Sequence, residues 1–311
     1  MMKEQTPQVE ALALGRSVES SIRRVHTIRK LTLFIPLAIL LMLVIAALAA
    51  DLGWLGLPDV GLAPYDPVKP SMRDRFLPPF WVEGGSTAHL LGTDNLGRDI
   101  LSRAIYGARI SLSVSLLVIA ITASIGAVLG IMSGYLGGRT DNVLMRVTDV
   151  SLSFPAILIA LLLAASVGPG FRTIVIALSI FGWAPYARLI RGEALRLREE
   201  DFVAQARIIG ASPLRIMARH IFPNIINPLI IIMTLSVGMV ILTEAALSYL
   251  GAGIPPPQPS WGAMVNEGRN YLDSAWWIST FPGIAIGLVV LSGNFFGDWL
   301  RDKLDPRLRQ V

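Results

Sequence analysis

Few side chains in this sequence have the type and spacing for covalent chemistry. Cysteine is absent, which excludes disulfides, thiol nucleophiles and thiolate-bound metals. His26, His89 and His220 lie far apart with no ligand spacing among them. No His-Glu-x-x-His, Gly-x-Ser-x-Gly, Gly-Lys-Ser or Gly-Lys-Thr occurs, so zinc hydrolysis, serine hydrolysis and P-loop nucleotide binding lack their residues. Polar constellations of another kind remain. Gly92, Thr93, Asp94, Gly97, Arg98 and Asp99 form a glycine-flanked turn, with Thr93 or Asp94 placed to cap a helix behind it. Asp94, Arg98 and Asp99 suit organising that helix better than binding a substrate, and for the turn as a whole a structural and a docking role are both open. Asp149 stands one helical turn from Arg146, and Glu244 closes an apolar run. An i,i+3 pair is worth a few tenths of a kcal/mol, and both acids are expected near span ends in structural roles.

The elements that must position these residues are membrane helices. Hydrophobic residues make up 53% of the chain and charged ones 16%, against about 25% charged in soluble domains. The net charge of +5 sits between apolar runs and not on a basic face, so it reports membrane orientation and no nucleic-acid partner is expected. A bilayer core needs about 20 apolar residues in a helix. Charge-free stretches of that kind are Leu31–Ala50, Ile110–Gly138, Val150–Phe171 with a helix start near Val143, Thr173–Ala187, Ile221–Thr243 and Ser274–Gly297. The uncharged run Ala245–Asn266 contains Pro255, Pro256, Pro257 and Pro259; these remove backbone donors and make it a surface loop. Ala47-Leu48-Ala49 resembles a signal-peptidase site, but the apolar region exceeds the usual length, and an uncleaved anchor is expected.

The fold expected is therefore an all-α polytopic membrane protein with six transmembrane helices. Residues 1–30 form a basic cytoplasmic segment, 31–51 the first transmembrane helix and 52–108 an outer, periplasmic segment. Residues 109–299 form a five-span core with a cytoplasmic loop at 188–223, and 300–311 a cytoplasmic tail. In segment 1–30, Leu12, Leu14, Val18, Ile22 and Val25 recur at near-helical spacing, so an amphipathic surface helix and a frayed tail are both open. With both termini inside, 19 of the 27 lysines and arginines fall on the cytoplasmic face, as the positive-inside rule requires. Gly126, Gly130, Ser133 and Gly134 suit close helix packing, not a solute pathway.

The loop 188–223 is long for a connection and carries seven arginines and four acids. Two short helices are expected to meet at Gly210-Ala211-Ser212-Pro213, with Ser212 as cap, Pro213 in the first turn and Gly210 at the bend. The second is expected to stop at Phe222-Pro223. Such an element beneath a membrane bundle reads as a docking surface for a soluble partner. His220 beside it reads as a surface histidine, with a pH-sensing role the alternative.

At this loop the sequence resembles the coupling segment of ABC-importer permeases, written E-A-A, three residues, Gly, nine residues, I-x-L-P. Ala204-Gln205-Ala206 is followed by Arg207-Ile208-Ile209 and Gly210, and Phe222-Pro223 stands where L-P belongs. Ala204 replaces the glutamate, His220 the isoleucine and Phe222 the leucine. Gly92 to Asp99, Tyr106-Gly107-Ala108-Arg109, Ser248 to Pro257, Pro259-Ser260-Trp261-Gly262 and Gly297 to Arg307 are similar to the peptide/nickel branch, second (C-type) subunit. The resemblance covers about residues 89–309.

It implies a type I importer permease that forms the translocation pathway for short peptides together with a homologous permease. Two ATPase subunits would dock at Ala204, Gln205, Ala206, Arg207, Gly210, Ala211, Ser212, Pro213, Phe222 and Pro223. A solute-binding protein would dock outside. ATP and magnesium would be bound by the partner ATPases and no cofactor by this chain, which would not be an enzyme itself. A bacterial inner membrane is the implied location. The alternatives are the same machine carrying nickel or another small solute, and an ion-coupled secondary transporter. The latter calls for buried mid-span acids and an internal repeat, and neither is seen in the sequence.

Overall fold

The computed structural model describes residues 34–51 and 61–304, which are helical except for loops, short turns and one isolated bridge between Thr93 and Asp99. The possible amphipathic helix of segment 1–30 lies outside the described residues. Of the first expected span, helix α1 covers Phe34–Leu48. The long helices are α2 (Ile100–Leu136), α5 (Phe171–Arg198), α8 (Phe222–Tyr249) and α10 (Trp277–Leu304). Between them lie α3 (Gly138–Ser153), α4 (Ala156–Val167), α6 (Asp201–Ile208), α7 (Pro213–Ile216) and α9 (Trp261–Gly268).

Four helical stretches are long and apolar enough to cross a bilayer, and α3 with α4 makes a fifth that is bent by 77°. That bend corrects the sequence expectation of a single helix from Val143. Pro155 lacks an N–H and disfavours helical geometry in Phe154 before it, so the chain turns there and resumes at Ala156. Helix α2 begins well before Ile110. At 1.5 Å per residue its 37 residues extend about 55 Å, against about 30 Å of hydrocarbon. It is therefore longer than one crossing needs, and the expected boundary between residues 108 and 109 falls inside a continuous helix. The boundary at residue 300 likewise falls inside α10.

The core of the bundle is the contact of α2 with α5, and glycine makes it. Gly126, Gly130 and Gly134 recur every fourth residue on one face of α2. A Cβ at each would lie 2.7 Å from the carbonyl oxygen of Trp183, Ala187 and Arg191 respectively. Only residues without a side chain let the two backbones approach so closely. The packing role expected for these glycines is what the structure displays. Ser133 Oγ in the same stripe meets Asp141 Oδ1 at 2.5 Å.

Two charged pairs cross between helices in place of the expected Arg146–Asp149 contact. Asp141 receives Arg191 Nε and Nη2 at 2.5 and 2.7 Å. Asp149 receives Arg188 Nη2 at 2.5 Å. Both pairs tie α3 to α5. Glu244 is also not where water reaches it. It is fully buried, accepting from Ser248 Oγ at 2.8 Å and Ser111 Oγ at 3.0 Å, and so joins α8 to α2.

Candidate functional site

The segment between α5 and α8 folds as two short helices closed by a Schellman turn. Ala211 N–H donates to Ala206 O at 3.0 Å and Gly210 N–H to Arg207 O at 3.0 Å. Gly210 has φ +82°, a conformation that costs other L-residues about 1–2 kcal/mol. Ser212 Oγ then accepts from Arg215 N–H at 3.4 Å, and Pro213 occupies the first turn of α7. The bend expected at Gly210 to Pro213 is present residue for residue.

The expected stop at Phe222-Pro223 is not. From Pro213 to Tyr249 the chain runs as one helical stretch. Met217–Ile221 forms a π-turn in which Phe222 N–H reaches back to Met217 O. Pro223 has no N–H for a carbonyl of the preceding turn, and the wider π-turn accommodates its ring. Asn224 Nδ2 donates to His220 O at 2.6 Å. The proline thus sets a change of pitch inside a continuous rod.

One face of this element is fused to the bundle. Val203, Ala206, Ile216, Ile221 and Ile225 are buried against Ile131 and Tyr135 of α2 and Ile190, Ala194 and Leu197 of α5. Each fully buried Val or Ile contributes about 1.5–3 kcal/mol, enough to make α6 and α7 move with the spans. Arg207 reinforces the joint. Its guanidinium lies 5.4 Å above the Tyr135 ring and donates to Arg198 O at 3.2 Å.

The other face projects outward. Ala204, Gln205, Gly210, Ser212 and Pro213 are all exposed. The apex carries Ile208 and Ile209, each 85% exposed, and Leu214 at 74%. Three large apolar side chains at the tip of a rigid bend are an interaction surface. Ile208, Ile209 and Leu214 did not stand out in the sequence. Their signal was present in the alternation of buried Val203 and Ala206 with apolar residues that fall off that face. Of the other expected residues, Ala206 is buried, Ala211 is half-buried, and Phe222 and Pro223 sit on the rod behind the bend.

At the other end of the bundle the turn Gly92 to Asp99 is drawn together as expected, with one correction. The residue that caps α2 is Asp99, whose Oδ2 accepts from Ser102 N–H at 2.8 Å and Ser102 Oγ at 2.7 Å. Thr93 N–H instead donates to Leu77 O at 2.9 Å, and Leu77 N–H donates to Thr93 Oγ1 at 2.9 Å. Asp94 folds back over its own turn. Its Oδ1 accepts from Leu96 N–H at 2.8 Å and Arg98 N–H at 2.9 Å, and its Oδ2 from Arg98 Nε at 2.7 Å and from Arg103. Gly92 and Gly97 have φ of +80° and +74°, and a Cβ at Gly97 would overlap Ser71 O.

Three partners in this cluster, Arg103, Glu267 and His89, escaped the sequence reading. Arg103 is buried, and both it and Arg98 reach Glu267, which stands on α9. His89 Nδ1 lies 3.0 Å from Asp99 Oδ1, and the His89 ring packs 4.7 Å from Tyr65. Both arginines meet carboxylates, and the cluster joins the outer segment, α2 and α9 into one piece.

Comparison with known proteins decides the family of this apolar helical bundle. The model of the family described as "binding-protein-dependent transport system inner membrane component" matches residues 126–310. The chain belongs to this family. Similar relatives include a putative peptide transport system permease protein of Brucella suis, 44% identical over 90% of both chains. The di/tripeptide transport system permease protein DppC of Pseudomonas aeruginosa is 43% identical over 80% of this chain and 82% of its own. The glutathione transport system permease protein GsiD of Pectobacterium atrosepticum is 42% identical over 80% and 81%. Among solved structures, the inward-facing MetNI methionine ABC transporter has a chain that superposes with a TM-score of 0.53. It is 16% identical, over 66% of this permease and 96% of that chain; this likeness concerns the fold.

Proposed function

We infer that this permease forms part of the pathway by which an ATP-driven importer carries short peptides across a bacterial inner membrane. The observation that carries the reading is the α6–α7 bend, whose inner face is welded to α2, α5 and α8 while its apex offers Ile208, Ile209 and Leu214. A soluble ATPase that grips the apex moves the spans as rigid bodies, because no flexible linker lies between the grip and the bundle. Alternating access follows when closure of the ATPase pair biases the bundle between inward- and outward-open states.

The relatives' names supply the cargo class, and the absence of a P-loop from the sequence assigns nucleotide and magnesium to partner subunits. A second, homologous permease completes the channel, two ATPase subunits dock at the bends, and a solute-binding protein delivers peptide outside. Both termini are cytoplasmic, since that orientation puts the arginine-rich loop 188–223 on the positive side.

The test is ATP-driven dipeptide uptake in proteoliposomes, with ATPase recovery measured on affinity-purified complexes. Proline fixes φ near −65° and cannot occupy Gly210 at +82°. Gly210→Pro therefore abolishes uptake and ATPase recovery while the chain still inserts in the membrane. Uptake at the unsubstituted rate would refute the docking role of the bend.

A further inference from the structure

Helix α10 carries aromatic side chains at both ends: Trp277 and Phe281 at one, Phe296 and Trp299 at the other, with Trp276 immediately before it. From Trp277 to Trp299 the helix rises about 33 Å at 1.5 Å per residue, close to a hydrocarbon core of about 30 Å. No charge intervenes before Asp298. Phe281, Ile284, Leu288, Leu291 and Phe295 follow at three- and four-residue steps, which is one face of a helix. Ile284, Leu291 and Phe295 on it are about half-exposed. An uncharged, outward apolar stripe ending in two aromatic belts one bilayer apart is the pattern of a lipid-facing span. It places one membrane interface at the level of Trp276 to Phe281.

The loop Pro78–Gly85 of the outer segment arrives at that level. The Trp81 ring stands edge-on to Phe281 at 6.0 Å, Phe80 edge-on to Trp81 at 5.0 Å, and Trp276 lies 5.9 Å from Phe281. Phe80 and Trp81 nevertheless remain about half-exposed. Among the described residues, the indole N–H groups of Trp183, Trp261 and Trp277 donate to carbonyl oxygens, whereas those of Trp81 and Trp276 have no protein acceptor. An indole packed on apolar rings with its N–H outward suits the headgroup boundary, where one side is apolar and the other wet.

The loop is held in place. Val82 N–H donates to Pro79 O and Gly85 N–H to Val82 O, both at 2.9 Å, and Phe80 N–H to Leu90 O at 3.3 Å. A Cβ at Gly85 would lie 2.2 Å from Pro79 O. Trp277 Nε1 donates to Thr93 O at 3.0 Å, so the segment is fastened to the mouth of α10. Exposed Glu83, two residues beyond Trp81, limits insertion to the interface, because a carboxylate is costly in hydrocarbon.

We propose that the loop Pro78–Val82 is a membrane-surface anchor: Phe80 and Trp81 rest in the headgroup boundary of the leaflet on their own side and pin the outer segment to the bilayer beside α10. The lipid surface is the partner, and the contact needs neither ATP nor peptide.

The chain has no cysteine, so Trp81→Cys and Phe80→Cys each introduce one attachment site for a nitroxide. The labelled permease is assembled with its partner subunits, their own cysteines replaced, in nanodiscs of phosphatidylcholine and phosphatidylglycerol. Collision with oxygen is compared with collision with a water-soluble nickel chelate, and Lys69→Cys serves as the aqueous reference. At positions 80 and 81 oxygen dominates and the depth corresponds to the interface, about 5–10 Å into the headgroup boundary; at position 69 the chelate dominates. Chelate access at 80 and 81 equal to that at 69 would place the loop in water and overturn the anchor. Shielding from both reagents would place a protein partner on the loop and overturn it equally. Uptake is not measured, so either result leaves the assignment of the α6–α7 bend untouched.

Discussion

Arg103 and Glu267 stand 164 residues apart in sequence and meet through two parallel bonds, Nη1 to Oε2 at 2.8 Å and Nη2 to Oε1 at 3.1 Å. Arg103 lies at the start of α2 and Glu267 near the end of α9. The pair therefore fixes the helix that starts the core against the short helix that precedes its last span. Asp94 completes the site from the outer segment, so three stretches of chain share one network.

Removing one partner of a buried pair strands the other charge, at a cost of about 3–5 kcal/mol. Arg103→Ala leaves Asp94 and Glu267 with Arg98 alone and should abolish recovery of monodisperse permease. Glu267→Gln keeps an acceptor for the two arginines and is expected to be milder. Fluorescence-detected size exclusion of the two variants after a temperature series checks the order; equal melting would show that the network contributes no stability.

Gly130→Val puts a branched side chain where a Cβ alone would meet Ala187 O at 2.7 Å. Overpacking of this kind costs typically about 1–3 kcal/mol, and here the obstacle is backbone, which cannot rotate away. A Cβ at Gly192 on α5 would meet nothing within 4 Å, so Gly192→Ala should be neutral or raise helix stability by about 0.5–1 kcal/mol. Thermal unfolding of both variants in detergent decides whether the glycine stripe is a packing device.

Ile208 and Ile209 are 85% exposed, so replacing both with aspartate removes no core contact. The double variant should fold and insert normally, while ATPase recovery and peptide uptake fall at least tenfold. Val203→Asp, on the buried face of the same helix, should instead lower the amount of folded protein. If the exposed double variant transports normally, the apex is not the grip.

Glu244 accepts from two serines in a fully buried site. Glu244→Gln retains a carbonyl acceptor, and the serine hydroxyls can rotate to suit it. Glu244→Leu leaves both hydroxyls without that acceptor, at about 1–3 kcal/mol for an unsatisfied buried group. The leucine variant should melt below the glutamine variant, with uptake per folded molecule alike in both. A selective loss of uptake in the glutamine variant would instead mark Glu244 as part of the transport cycle.

The spans and the bend were largely legible in the sequence. Uncharged runs announce helices because each backbone group in hydrocarbon must be satisfied within its own segment. Gly210, Ser212 and Pro213 announce their turn because left-handed φ, side-chain capping and a missing N–H are properties of single residues. Where local rules competed, the reading erred. Pro155 broke a helix drawn as continuous, whereas Pro223 did not stop one, because a π-turn before it accommodates the ring. Asp99 took the cap expected of Thr93 or Asp94, since Asp94 was already engaged by its own turn and two arginines.

The run Ala245–Asn266, read as a surface loop, is helical at both ends, in α8 to Tyr249 and in α9 from Trp261; from the sequence alone came the membrane residence, the stretches that cross and the helix–glycine–helix element. Each rests on hydropathy or backbone conformation within a few neighbouring residues. Tertiary structure alone decided that Arg103 pairs with Glu267, that Asp149 bonds Arg188 and not Arg146, that Glu244 is dry, and that Ile208 and Ile209 face outward. Those relationships depend on which helices pack and at what rotation. No local period in the sequence encodes that choice, because the long spanning helices are apolar nearly all round.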